Sequence, residues 1–517
     1  MPEYLSPDIF VEEKESNRNT IERVSASVAA FFGIAERGPA GVPILITSFA
    51  QFKRVFGGYI PNSYLAYAVD GFFKKVKGRC YVARIVHYTD ITDATTATCV
   101  TSATTLNDRT ATPVPTLGVK AVSPGKWGND ISIKVIPATT DPANHFRIKV
   151  YFKNVFVETH DDLSMNPESE NFALDRMNGK SEYIVLEDLG SAAVAPDNRP
   201  AEGTYPITGG EDGLTGIGDT DYAGSQASRT GVFAFDPVDE INILSCPGIT
   251  TQTVQNALCT YSELRQDLFV ILDPPVGMNV TEIKEYVQDT AAFNCKYAAL
   301  YYPNIKILDP NSRKERIVPP SGQLSGIYAK TDVVHGVHKA PAGIEDGIFV
   351  DVLGLEYTLD KGQRDTLYPA RINPIMKKRG VGVVAWGNRT LSALSDWRSI
   401  NVRRLFLNVV ESIAEGTEWA VFKPNNIDLW KDLTTTLTLF LKEYWREGAF
   451  FDGGTGNWRD AFYVKCDGEL NTQAIIDQYK VVTEIGIAPT KAAEFVIFRI
   501  TQWDGGRLFE EFTGGGA

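Results

Sequence analysis

Ile241-Asn242-Ile243-Leu244, Leu268-Phe269-Val270-Ile271-Leu272 and Tyr297-Ala298-Ala299-Leu300-Tyr301-Tyr302 are short, near-continuous apolar runs, with helical segments from Val254 to Leu264 and from Val280 to Ala291 between them. Runs of this kind are strands buried on both faces, and a helix between consecutive strands is the crossover that a parallel pairing needs. The stretch therefore predicts a parallel sheet covered on both sides, the α/β class.

Upstream, Ala29-Ala30-Phe31-Phe32-Gly33-Ile34 and Pro43-Ile44-Leu45-Ile46 read as short strands. A helix follows, capped near Asn62 or Ser63, with Leu65, Val69, Phe72, Phe73 and Val76 on one face and Gly78 ending it. The strand Tyr81 to Val86 then returns. From Thr89 to Tyr222 the texture changes to Thr, Pro, Gly and short alternating segments such as Ile131-Ser132-Ile133-Lys134-Val135, which predicts an inserted β-sandwich.

Downstream of Gly380 an α+β unit holds seven of the eight tryptophans. One helix from Asp396 to near Gly416 is expected to bury Val402, Leu405, Phe406, Val409, Val410 and Ile413. A second carries Leu433, Leu437, Phe440, Leu441 and Tyr444 on one face. Strands are expected around 461–464, 481–487 and 495–500. Both ends read as extended arms: Ile9-Phe10-Val11 follows Pro7, and Leu508-Phe509 with Phe512 lies between glycine pairs. An isolated strand needs a partner sheet for its backbone groups, so these arms are expected to pair with other subunits.

The expected layout is thus an N-terminal arm (1–20), the first part of the core (21–88), the inserted β-sandwich (89–222), the α/β domain (223–379), the C-terminal α+β domain (380–502) and a C-terminal arm (503–517). With 517 residues, a hydrophobic fraction of 43% and a net charge of -13, the chain has material for several cores and no basic stripe of the kind nucleic acid selects. No run of 18 apolar residues occurs, so no membrane insertion is expected. The acidic start lacks the basic-then-apolar order of a signal peptide, which points to synthesis in the cytosol. Cys80, Cys99, Cys246, Cys259, Cys295 and Cys466 form no CxxC pair and read as buried free thiols.

Reactive groups of such a sheet sit at the carboxyl ends of its strands. Here those ends read Ser245-Cys246-Pro247-Gly248, Asp273-Pro274-Pro275 and Tyr302-Pro303, a poor catalytic inventory. Asp273 is expected to cap the next helix or fix a turn. Gly322-Gln323-Leu324-Ser325-Gly326 misses the G-x-S-x-G spacing by one and reads as a helix start. His335 and His338 have no third metal ligand nearby. Asp219-Thr220-Asp221 opens like a calcium loop, but its twelfth position is Thr230 instead of glutamate. No GxxxxGK[ST] loop is present. No catalytic, cofactor-binding or metal residue is assigned.

Several passages, in order along the chain, carry a resemblance. Tyr4-Leu5-Ser6-Pro7-Asp8-Ile9-Phe10-Val11-Glu12-Glu13, Gly33-Ile34-Ala35-Glu36-Arg37-Gly38-Pro39, Pro124-Gly125-Lys126-Trp127-Gly128-Asn129 and Lys339-Ala340-Pro341-Ala342-Gly343 are four of them. Gly382-Val383-Val384-Ala385-Trp386-Gly387-Asn388-Arg389-Thr390-Leu391 and Trp397-Arg398-Ser399-Ile400-Asn401-Val402-Arg403-Arg404 are the strongest. The sequence resembles the contractile tail sheath proteins of phages and phage-tail-like injection particles. It departs at Asp8, where glycine is usual, and at His335 and His338, where the family more often carries Arg and Trp.

The resemblance implies a subtilisin-like α/β core without a catalytic triad, an outward-facing β-sandwich, and a homo-oligomer of hexameric rings stacked helically around an inner tube protein. Baseplate and tail-terminator or cap proteins would be further partners. Assembly in the bacterial cytoplasm into a phage tail or tail-like particle, with no cofactor, follows from the same likeness. Arm strands built on Ile9, Phe10, Val11, Leu508, Phe509 and Phe512 would join neighbours. Each would add four or five hydrogen bonds, each on the order of 1 kcal/mol net. A tube-facing helix from Leu429 to Glu447 would present Lys431, Lys442, Glu443 and Arg446. Two other classes fit the residues less well: a subtilisin-type hydrolase with a variant nucleophile, and a static baseplate or surface assembly protein.

Overall fold

The computed structural model describes residues 20–494, and its architecture is a mixed α/β multidomain one. In the central layer, strand β1 is Ala29–Gly33 and β2 Ile44–Ile46; helices α1 (Phe49–Phe56) and α2 (Leu65–Lys75) precede β3 (Cys80–Arg84). After the inserted segment come β4 (Ile243–Ser245), α3 (Gln252–Arg265), β5 (Phe269–Leu272), α4 (Val280–Glu285), β6 (Ala298–Tyr302) and α5 (Ser321–His335). The hairpin β7 (Ile372–Lys378) and β8 (Gly382–Ala385) completes it.

These strands form one eight-stranded sheet in the order β2-β3-β1-β4-β5-β6-β7-β8. The six inner strands are parallel, while β2 and β8 pair antiparallel at the two edges. Every residue of β1, β4, β5 and β6 is buried, which is why those runs show no polar alternation. The expected division at 380 falls inside the β7–β8 hairpin: Lys378 pairs with Gly382, so the second strand stays on the central sheet.

Helices α2 and α5 meet through small residues. A Cβ on Gly322 would lie 2.2 Å from the Ala68 Cα, and one on Gly326 would lie 2.7 Å from the Lys75 Cβ. The Gly-x-x-x-Gly spacing that resembled a misplaced nucleophile turn is thus a close helix contact. Residues 305–308, 315–318 and 352–355 add a small antiparallel sheet.

The inserted segment forms a three-stranded sheet (184–188, 115–121, 103–107) and a four-stranded one (203–206, 131–137, 146–152, 155–163). Leu117, Val119, Ile133, Val135, Ile148, Val150, Ile184 and Leu186 share a single apolar core, so the two sheets form a sandwich. At its root the buried Arg84 guanidinium donates to the carbonyls of Gly38 (3.0 Å), Pro124 (2.5 Å) and Asp212 (2.9 Å), tying both linkers to the sheet.

The C-terminal unit is built on α6 (Ile400–Gly416) and α7 (Ile427–Arg446), with the two-stranded sheet β9 (Phe462–Lys465) and β10 (Glu484–Ile487). Leu405, Val409, Leu437, Phe440, Leu441, Tyr444, Phe450 and Phe462 form its core. Three expected core residues of α6 are placed otherwise: Val410 is exposed, Phe406 is half-buried against the Trp397 ring, and Ile413 is half-buried at the edge of the core. Ile21 also belongs to this C-terminal core, so the chain from residue 20 first crosses α6 and α7 before entering β1. The segment expected to open the α/β core therefore packs on the C-terminal unit instead.

Candidate inter-subunit interface

At the carboxyl end of β5, the Asp273 carboxylate accepts hydrogen bonds from the Ser321 amide (2.9 Å), the Ser321 hydroxyl (2.7 Å) and the Gly248 amide (3.2 Å). It caps α5, further along than the next helix expected from the sequence, and it fixes the turn after β4 as well. Burial pushes its carboxyl up to about 6. Ser325 is buried, its hydroxyl donating to the Ser321 carbonyl at 2.8 Å and lying 3.1 Å from the Ser245 hydroxyl. His335 pairs with Asp346 at 3.2 Å. Asp219–Ala223 is a short helix, and the Asp221 carboxylate accepts from the amides of Tyr88 (3.0 Å) and Gly218 (2.9 Å). These polar groups hold the fold together. Among the described residues no cluster of three His, Cys, Asp or Glu is placed to hold a metal, and no helix is long and apolar enough to cross a membrane.

The C-terminal unit is arranged differently. β9 and β10 pair with each other from Phe462↔Ile487 to Lys465↔Glu484, and no other described strand pairs with either. Two strands alone leave a row of backbone donors and acceptors on each outer edge, the template on which a further strand adds. Beside β10 lies a cleft of 1220 Å³, floored by Leu429, Leu433 and Leu437 of α7 together with Ile413, Ile476 and Ile485.

At the rim, Phe422 is 103% exposed and Tyr479 97% exposed, with Val421 and Val481 beside them. Phe422 also sits at φ 65°, a left-handed conformation costly for a bulky residue and common where a site is pre-shaped. Large apolar side chains clustered in solvent beside a cleft mark a candidate interaction site.

The arm residues Ile9, Phe10, Val11, Leu508, Phe509 and Phe512 lie outside the described residues, as does the expected strand 495–500. The polar residues assigned to the C-terminal helix do fall on α7. Lys431, Glu443 and Arg446 are exposed, and the half-buried Lys442 places its ammonium 4.2 Å over the Trp458 ring. Lys431, Lys442 and Arg446 lie opposite the apolar stripe of α7, while Glu443 flanks it. The cleft itself went unread in the sequence. Its one local signal is Val421-Phe422-Lys423-Pro424-Asn425, an aromatic placed in a turn-forming segment where a buried residue is out of place.

A family model described as phage tail sheath protein central domain matches residues 216–391, and one described as phage tail sheath C-terminal domain matches 392–502. Together they cover more than half of the chain. This chain belongs to the phage tail sheath family. Among curated relatives, the tail sheath protein of Enterobacteria phage T4 is 28% identical over 52% of this chain and 42% of its own length. That of Vibrio phage KVP40 is 26% identical over 68% of this chain and 54% of its own length. The chain spans about half the length of these relatives.

Solved structures share the fold. The contracted helical sheath of the anti-feeding prophage matches with a TM-score of 0.58 at 21% identity, covering 96% of this chain and 99% of that one. The contracted sheath complex of an extracellular contractile injection system, PVC, gives 0.58 at 18% identity over 98% and 99%. The crystal structure of the Desulfitobacterium hafniense sheath tail protein gives 0.57 at 12% identity over 89% and 94%. The β9–β10 sheet, unpaired at its edges among the described strands, and the exposed cleft lie within residues 392–502, the span of the C-terminal family match.

Proposed function

We propose that this chain is the structural subunit of a contractile tail sheath, polymerising as helically stacked hexameric rings around an inner tube and contracting from a metastable extended state. The observation that carries the reading is the β9–β10 sheet, unpartnered among the described strands, beside the 1220 Å³ cleft, within a chain of the sheath family. The arms 1–20 and 503–517 supply the missing strands from neighbouring copies, with Phe10 or Phe509 burying about 1.5–3 kcal/mol of apolar surface each. Such contacts join unlike surfaces and propagate openly, the geometry of a helical polymer.

In this reading the inserted domain (89–222) faces outward, and residues 223–379 form a subtilisin-like layer without a nucleophile. The C-terminal unit, from α6 onward, faces the tube through Lys431, Lys442, Glu443 and Arg446. The inner tube protein, a baseplate and a terminator or cap are its partners, assembled in the bacterial cytoplasm. Contraction is rigid-body rearrangement of subunits driven by free energy stored at assembly behind a kinetic barrier, so no nucleotide takes part. Deleting residues 1–20 tests this: the variant should fold but sediment as a monomer, and unchanged polymers would sink the reading.

A further inference from the structure

Residues 20–28 have no regular secondary structure, yet α6 holds them at four positions spaced by four. Arg404 donates through Nη2 to the Ala26 carbonyl at 3.1 Å. Asn408 donates through Nδ2 to the Val24 carbonyl at 3.0 Å. Ser412 accepts from the Val24 amide at 3.1 Å. Gly416 then makes room for Ile21, since a Cβ there would lie 2.5 Å from Ile21 Cγ2.

Four helical residues rise about 6 Å and two residues of an extended chain advance about 6.6 Å, which matches the step from Arg404 at Ala26 to Asn408 at Val24; Ser412 then shares Val24 with Asn408, and Gly416 meets Ile21. Three of these contacts are to the strap's backbone. Among the strap's side chains, Ile21 lies in the apolar core, Ala26 packs against it, and Arg23 pairs with Glu447 at 2.5 Å and lies 3.9 Å over the Tyr444 ring. Between strap and helices a cavity of 200 Å³ remains, lined in part by Val24, Asp332, His338 and Tyr444. The row of polar contacts, more than close packing, therefore seats the strap.

The first of these contacts reaches further. Arg404 also makes a bidentate pair with Asp332 of α5, at 2.8 and 2.6 Å, both side chains 3% exposed. Its guanidinium lies 4.9 Å over the Tyr328 ring. One buried arginine thus joins the strap, the C-terminal helix and the central layer. Breaking such a pair leaves a charge buried without compensation, which makes it a strong fixed point.

We propose that the Arg404-Asn408-Ser412-Gly416 row of α6, fixed to the central layer through Asp332, is the mechanical anchor of the N-terminal arm, so that tension from a neighbouring subunit is delivered to both the C-terminal unit and the central sheet. This rests on the sheath reading for the source of the tension. A pull along the strap meets these contacts together in shear, whereas a strap held at one point would peel.

The test uses the full chain with Arg404→Lys plus Ser412→Ala, which weakens two contacts from the helix side. Ile21→Ala loosens the strap at Gly416, leaves α6 untouched and keeps the Arg23–Val24 bond cleavable, so it covers the case in which the double variant fails to fold. Trypsin cleavage after Arg23 is measured on unassembled protein, where it follows the population of the freed strap, and is expected to rise at least about tenfold. Polymers are then assembled and challenged with urea, and are expected to break at lower concentrations than wild type. Cleavage at the wild-type rate overturns the row as the strap's seat, whether or not polymers form. A freed strap with polymers as resistant as wild type overturns its role as the anchor. Absence of polymer from the wild-type chain would count against the sheath reading instead, and the anchor with it.

Discussion

At the carboxyl ends of β4 and β5, Ser245, Asp273, Ser321 and Ser325 satisfy one another and the neighbouring amides inside the chain. At the outer edges of β9 and β10 no described strand takes up the backbone groups, and Phe422 and Tyr479 stand in solvent beside them. The first region is where an α/β layer places its chemistry, and here its polar groups are buried and turned on one another. The second is where a small sheet exposes its weakness to aggregation, and here it is left open. The difference teaches that the chain spends its side-chain polar groups internally in the central layer and leaves unpaired edges, among the described strands, in the C-terminal unit.

Changes to the closed region should cost stability and spare assembly chemistry, and changes to the open region should do the reverse. Gly322→Val should have the largest effect. Its side chain would meet Ala68 backbone at 2.2 Å, which no rotamer relieves, and a loss of more than about 4 kcal/mol is expected in urea unfolding. Second is the pH dependence set by Asp273. Its carboxyl titrates at about 6 in the fold against about 4 unfolded, so the folded state holds the proton more tightly. Stability should therefore fall by about 3 kcal/mol as pH rises from 4 to 6 and level off above, and Asp273→Asn should flatten that slope. A slope that persists in the variant would assign it to another group.

Third, Phe422→Asp should leave the melting temperature of the unassembled chain within a degree or so, because the ring touches solvent on all sides. It should weaken polymerisation by about 2 kcal/mol per contact, read as roughly a thirtyfold rise in the critical concentration. A melting temperature that drops instead would place the ring in the fold and not in an interface. Smallest is Lys431→Glu with Arg446→Glu on the polar face of α7. Under about 1 kcal/mol of folding stability is at stake for exposed charges, and co-sedimentation with the tube protein should fall and become less sensitive to salt.

The parallel strands were legible because burial on both faces writes itself as uninterrupted apolar runs, and β4, β5 and β6 appear within a residue or two of where Ile241–Leu244, Leu268–Leu272 and Tyr297–Tyr302 place them. The α7 stripe of Leu433, Leu437, Phe440, Leu441 and Tyr444 is buried as its spacing requires. Other features depend on distant partners that no local pattern encodes. Helix α1 was hidden in the block that follows β2. Val410 fits the α6 spacing but points away from the core. The antiparallel edge β8 keeps residues 382–385 with the central sheet, because a hairpin needs only the turn after Lys378. The strap along α6 is encoded as Arg404, Asn408, Ser412 and Gly416, a mixed set that reads as an unremarkable polar face until a second segment lies across it.

The most direct measurement is negative-stain electron microscopy of the purified full chain, alone and together with its tube protein. Striated hollow tubes or stacked rings are the result expected from open strand edges that neighbours complete. Uniform monomers under every condition tried would contradict the account.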